Sequence, residues 1–345
     1  MTAGKLMFAS DYMEGAHPKV LQALVETNLE SVPGYGYDRF CDEARAQILD
    51  ACACPNGEVY FVGGGTQANL VVLDALLEPW QGVVAANTGH VSVHEAGAIE
   101  LTGHKVLTLE GTDGKLTADD VRDSWNTWHE DGNWEHVVEP GVVYVSQPTE
   151  YGTLYALSEL EGIAEVCRDT GMRLFVDGAR LAYALACDAN DVELEDLARL
   201  TDAFYIGGTK CGALCGEAIV FPEKDTAPRF FTRIKQHGAL FAKGRLLGVQ
   251  FGALFTDGLY FELGRSAVTA AECIRAALRS RGYRIYFDSP TNQTFFVIED
   301  SRMKKLGEHV LFNYDRKFNE GCTIIRQCTS WATREEDVRA LIDLL

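Results

Sequence analysis

The sequence predicts an α/β protein: a mostly parallel sheet covered by helices on both faces, followed by a smaller α+β unit. Three observations carry this expectation. Through the first 240 residues, short strands alternate with helical segments. Those strands, such as Gly141–Ser146 and Ala203–Ile206, are apolar along nearly their whole length, so neither face is left to water. After about residue 240 the order changes to a long helix and then a cluster of strands, as in a separate α+β sheet.

Taken in order, Val59–Val62 reads as a strand and Gln67–Leu77 as a helix with nearly continuous apolar positions. Gly82–Asn87 is a second strand, Val91–Leu101 a helix and Lys105–Leu109 a third strand. Gly141–Ser146, Arg173–Asp177, Ala203–Ile206 and Glu217–Phe221 continue the strand series, with helices at Leu157–Thr170 and Val192–Leu200 between them. A helical pattern from Arg245 to Ser280 breaks near Asp257-Gly258. Tyr283–Phe287, Thr294–Ile298 and Cys322–Cys328 read as strands, and Arg302–Leu311 and Arg334–Leu345 as helices. The Pro- and Gly-rich stretch Ser31–Phe40 is a loop. The expected division is a large unit over 14–240 and a small one over 241–345 with 1–13.

Composition bounds the function. A net charge of −19 argues against a nucleic-acid partner, which needs a basic face, so any anionic ligand must be held by a local cluster of donors. No run approaches the roughly 18 apolar residues of a membrane span. The opening MTAGKLMFASDYMEG lacks the layout of a signal peptide, so a cytoplasmic protein is expected. Ten cysteines in such a chain are expected as reduced thiols. With no C-x-x-C and no H-E-x-x-H, no metal site is expected.

Two strand ends carry ionisable residues. Leu174-Phe175-Val176-Asp177-Gly178-Ala179-Arg180 ends an apolar run in a carboxylate, either a helix N-cap or a group that holds a ring nitrogen protonated. Tyr205-Ile206-Gly207-Gly208-Thr209-Lys210 ends one in a lysine, either an exposed loop residue or a Schiff-base amine. Small residues flank Lys210, as close approach of a flat ring would require. Gly63-Gly64-Gly65-Thr66 opens a helix after a strand. It is neither a P-loop nor a dinucleotide fingerprint, and is either an empty glycine turn or a phosphate cradle. His90 follows a strand and could stack on a cofactor ring or cap a helix, while His94 and Glu95 read as structural or supporting residues. Arg180 could cover surface or grip a carboxylate.

Several segments resemble the low-specificity threonine aldolases, of the β-eliminating lyase group of pyridoxal phosphate (PLP) enzymes with the aspartate-aminotransferase fold, fold type I. They are S-D-Y-M-E-G-A-H-P (10–18), P-G-Y-G-Y-D (33–38), G-G-T-Q-A-N (64–69), G-H-V-S-V-H-E-A-G (89–97), V-D-G-A-R (176–180) and G-G-T-K (207–210). I-K-Q-H-G-A-L-F-A-K-G-R (234–245) and I-I-R-Q-C-T-S-W-A-T (324–333) extend the likeness across nearly the whole chain.

The resemblance implies Lys210 as the Schiff-base lysine, Asp177 at the pyridine nitrogen, His90 stacked on the ring, and Gly64, Gly65 and Thr66 at the phosphate. It implies Arg180 and Arg326, assisted by Ser10, at the substrate carboxylate. Tyr35 and Lys243 would reach the site of a partner subunit, in a homodimer or homotetramer with sites at the interface. Many members carry a histidine after the central strand, where this chain has Glu150. That carboxylate could act as base, hold a water that does, or shift the preferred β-substituent. The implied reaction is cleavage of an L-3-hydroxy-α-amino acid to glycine and an aldehyde. The same-fold alternatives are β-elimination or transamination of another amino acid, and a rival from another class is a non-catalytic binding protein.

Overall fold

In the computed structural model, residues 4–345 are described. Strands β1 (Leu6–Met7), β2 (Glu58–Val62), β3 (Gln81–Ala86), β4 (Val106–Leu109), β5 (Glu139–Ser146), β6 (Arg173–Asp177), β7 (Ala203–Gly207) and β8 (Glu217–Phe221) come first along the chain. Seven of them form one sheet in the order β2-β8-β7-β6-β5-β3-β4. It is parallel except for β8, which runs antiparallel to both of its neighbours. The pleat sends successive side chains to opposite faces. Val143, Val145, Leu174, Val176, Phe204 and Ile206 enter one core, and Val142, Tyr144, Phe175 and Tyr205 enter the other. Asp177, two residues beyond Phe175, therefore shares a face with Tyr144 and Tyr205.

The later strands are β9 (Arg284–Ile285), β10 (Gln293–Glu299), β11 (Val310–Leu311), β12 (Asn313–Asn319) and β13 (Cys322–Cys328). Four of these make an antiparallel sheet in the order β12-β13-β10-β9. The N-terminal β1 lies parallel to β11, so the first residues pack on the C-terminal part of the chain. No described helix is long and apolar enough to cross a membrane.

Two differences from the sequence reading have physical causes. The helix expected over Val91–Leu101 is two short ones, His90–Val93 and Ala98–Leu101, because Ala96 (φ 52°) and Gly97 (φ 76°) turn left-handed between them. The long helix does break where expected, with Asp257 at φ 52° and Gly258 at φ 71°. Helices Pro18–Thr27, Arg39–Ala51 and Ala118–His129 were not expected. Each starts on a side-chain cap: His17 accepting from Lys19, Asp38 from Cys41 and Thr117 from Asp120.

Candidate active site

The parallel strands β3, β5, β6 and β7 end on the same side of the sheet, where open α/β sheets place their crevices. A cavity of about 630 Å³ lies there, lined by Lys210, Arg180, Arg326, His90, His94 and Glu150, with Tyr151, Phe295 and Arg316 on the side of the smaller sheet.

Asp177 ends β6 and is 4 % exposed. Its Oδ1 accepts from the Tyr205 hydroxyl at 2.6 Å and the Ala179 N–H at 2.9 Å. Its Oδ2 accepts from the Tyr144 hydroxyl at 2.5 Å and Asn69 Nδ2 at 3.0 Å. Burial favours its neutral form, yet the His90 charge and these donors hold its pKa below the usual carboxylate range. It is not the N-cap of the helix that follows, a position taken by Arg180.

His90 begins the helix after β3. Its Nδ1 sits 2.7 Å from Glu95 Oε1, which also accepts from Asn69 Nδ2 at 2.7 Å. Burial opposes its charge, but the Glu95 hydrogen bond and the Asp177 and Glu95 charges raise its pKa. Glu150 Oε1 accepts from the His90 backbone N–H at 2.9 Å and from the Ser146 hydroxyl at 2.8 Å. Burial and the Asp177 charge push its pKa up.

Lys210 lies in the turn after β7. Burial and the Arg180 charge lower its pKa, while Asp11, Asp177 and Glu217 oppose them, and no hydrogen bond contributes. The glycines beside Lys210 are sites of close backbone packing. A Cβ on Gly207 would sit 2.3 Å from Ala179 O, and one on Gly208 2.8 Å from Gly216 O, so backbone packs on backbone. The same crowding holds at Gly178, where a Cβ would lie 1.9 Å from Tyr205 O. Gly178→Ala is therefore expected to cost about 3 kcal/mol or more, read from denaturant unfolding. A variant as stable as the parent would contradict this packing.

Arg180 donates Nε and Nη2 to Asp11, at 2.7 and 3.1 Å, and Asp11 also accepts from Asn292 Nδ2 at 2.9 Å. This pairing occupies one edge of the guanidinium expected at a substrate carboxylate. Arg326, on β13, donates to Gln293 Oε1 at 3.0 Å and Ala9 O at 3.2 Å, while its buried Nε has no partner. The buried Ser10 hydroxyl is also unpartnered. One segment, Ala9–Asp11, thus touches both arginines.

The model for the family described as "Beta-eliminating lyase" matches residues 8–300. The chain belongs to the beta-eliminating lyase family. The low specificity L-threonine aldolase of Pseudomonas sp. (strain NCIMB 10558) is 31% identical over 349 residues, covering 99% of this lyase and 97% of that protein. The enzyme of the same name from Pseudomonas aeruginosa is 31% identical over 348 residues, with the same coverage. A solved threonine aldolase structure from Leishmania major superposes with a TM-score of 0.95 at 42% identity, covering 98% of both chains. An aspartate aminotransferase from Thermus thermophilus superposes at 0.72 with 15% identity, over 99% of this lyase and 91% of that chain, which is a likeness of fold.

Lyases of this family depend on PLP, and the residues present fit it. The twelve-residue helix Gly65–Leu76 starts at Gly64 with no side-chain cap, so its first N–H groups are free for a phosphate. A Cβ on Gly65 would lie 3.1 Å from the Tyr205 hydroxyl that donates to Asp177, which ties this helix start to the buried carboxylate. Four protein donors surround Asp177 and keep it ionised, the form that would pair with a protonated ring nitrogen. Thr66, Tyr35 and Lys243 are exposed and do not line the cavity of their own chain. Tyr35 and Lys243 lie on adjoining loops, where Tyr35 N–H donates to Ala242 O at 3.0 Å.

Sequence reasoning missed Asp11, Glu217 and the placement of His94. Glu217 is buried in β8, accepts from the Gly208 N–H at 3.0 Å, and burial pushes its pKa to about 7. A lone carboxylate in the run E-A-I-V-F was the available signal.

Proposed function

We propose that this lyase is an aldehyde-lyase that cleaves L-threonine, L-allo-threonine and related L-3-hydroxy-α-amino acids to glycine and an aldehyde. The observation that carries the reading is Lys210, a half-buried lysine whose pKa is lowered, in one cavity with Arg180, Arg326 and His90. PLP, when bound, supplies the electron sink for the bond that breaks at Cα.

The chain's own residues do the rest. Lys210 would hold the cofactor through its side-chain amine. Asp177, kept ionised, would hold the ring nitrogen protonated, and His90, fixed by Glu95, would pack against the ring. The helix start at Gly64, Gly65 and Thr66 would take the phosphate. Arg326 and the free edge of Arg180, with the unpartnered Ser10 hydroxyl, would orient the substrate carboxylate and so select the bond that breaks. Glu150, His90 and His94 face the reacting side.

The proposal includes a homodimer or homotetramer in which the exposed Tyr35 and Lys243 enter a second copy's site. It includes a cytoplasmic setting, in keeping with ten free cysteines. Residues 14–240 hold the cofactor in this reading, and 241–345 with 1–13 form the smaller unit. Holoenzyme given L-threonine should release glycine and acetaldehyde in equal amounts. Ammonia with a keto acid as the products would overturn the reading in favour of elimination or transamination.

A further inference from the structure

We propose that His94 is the residue that accepts the proton of the substrate's β-hydroxyl, an inference that rests on the aldehyde-lyase reading. His94 ends the short helix His90–Val93, with its N–H donating to His90 O at 2.9 Å. Ala96 and Gly97 turn left-handed, so the next helix starts apart at Ala98, and His94 stands at the end of its own short helix on the cavity wall. It lies 5.7 Å from the His90 ring, centroid to centroid.

The other groups on that wall are already committed. His90 Nδ1 is held by Glu95, and Glu150 Oε1 accepts two hydrogen bonds within a buried pocket that favours its protonated form. No hydrogen bond fixes the His94 ring among the described residues, so both of its nitrogens are open to a ligand. Burial lowers its pKa first, and then so do the charges of His90 on its own helix, Arg326 on β13 and Arg180 after β6. Lys210 and Glu150 face the same cavity, as does the Asp315–Arg316 ion pair on β12, closed at 2.6 Å. His94 is therefore an uncharged base near neutral pH. The arginines that lower its pKa are those assigned to the substrate carboxylate. Carboxylate and Cβ share one neighbour, Cα, so a base beside the carboxylate site is within reach of the β-oxygen.

The step balances. The O–H bond breaks and its proton goes to a His94 nitrogen. The O–H electron pair becomes the π bond of the departing aldehyde, and the Cα–Cβ pair stays with the carbon of glycine. Protonation of Cα and release of the His94 proton to water close the count.

Holoenzyme carrying His94→Gln tests this by comparing two reactions. Cleavage of L-threonine should lose about 10²-fold in kcat with KM changed by less than about threefold. Exchange of the glycine α-proton in D2O, followed by NMR, involves no β-hydroxyl and should stay within about twofold of wild type. The acid limb of the wild-type kcat/KM profile, set below the ordinary histidine range, should be missing from the variant. Unchanged cleavage, or cleavage and exchange falling together, would overturn the assignment. A wild-type enzyme that exchanges glycine but makes no aldehyde would instead defeat the aldehyde-lyase reading.

Discussion

Lys210→Ala is expected to lower turnover of L-threonine by about 10³-fold or more while leaving the fold intact. The fold should survive because the Lys210 amine makes no hydrogen bond among the described residues, and its removal relieves an unfavourable burial of charge. The loss comes from the reaction. An amine whose pKa is lowered by burial and by Arg180 spends more time as the free base, the form that attacks a carbonyl carbon. Among the described residues no second lysine lines the cavity. Borohydride reduction of the wild-type holoenzyme should leave the pyridoxyl group on the peptide that carries Lys210, and the variant should retain none covalently. Label found on another lysine, or a variant with more than about a tenth of wild-type kcat, would remove Lys210 from its role.

The strand ends were legible because they depend on local sequence. β5, β6, β7 and β8 are apolar runs buried on both faces, and the ionisable residues ending β6 and following β7 stand out against them. The pairing of Asp11 with Arg180 was not legible, since 169 residues separate them and only the packing of β1 on β11 brings the first segment to the cavity. His94 was read as part of a continuous helix. The left-handed turn at Ala96 carries no sequence signal, because alanine is among the residues least expected there. β12 went unnoticed for another reason. As an edge strand it reads N-Y-D-R-K-F-N, with no apolar alternation to separate it from a loop.

The largest effect on stability is expected from Asp11→Asn. Asp11 is fully buried, and its carboxylate is the only ion-pair partner of Arg180 among the described residues. Removing one charge of a buried pair strands the other, at a cost of about 3–5 kcal/mol. The pair also links stability to pH. Burial disfavours the ionised Asp11, but Arg180 and Lys210 outweigh it and bring its pKa down to about 2. Against an unfolded value of about 3.9, that depression stabilises the fold by about 2–3 kcal/mol above pH 4. Because the folded pKa is the lower one, this contribution is lost as the pH falls from about 4 towards 2. The variant should therefore melt at a lower temperature at pH 7, and its acid unfolding should lack this component. The Asp11 charge also raises the Lys210 pKa, so its loss should move the pH titration of the holoenzyme's visible band to the acid side. Glycine should bind more weakly as well, because Arg180 is then free to turn from the edge-on geometry that Asp11 imposes. Equal melting temperatures and equal glycine affinity in variant and parent would show that Asp11 neither stabilises the fold nor positions Arg180.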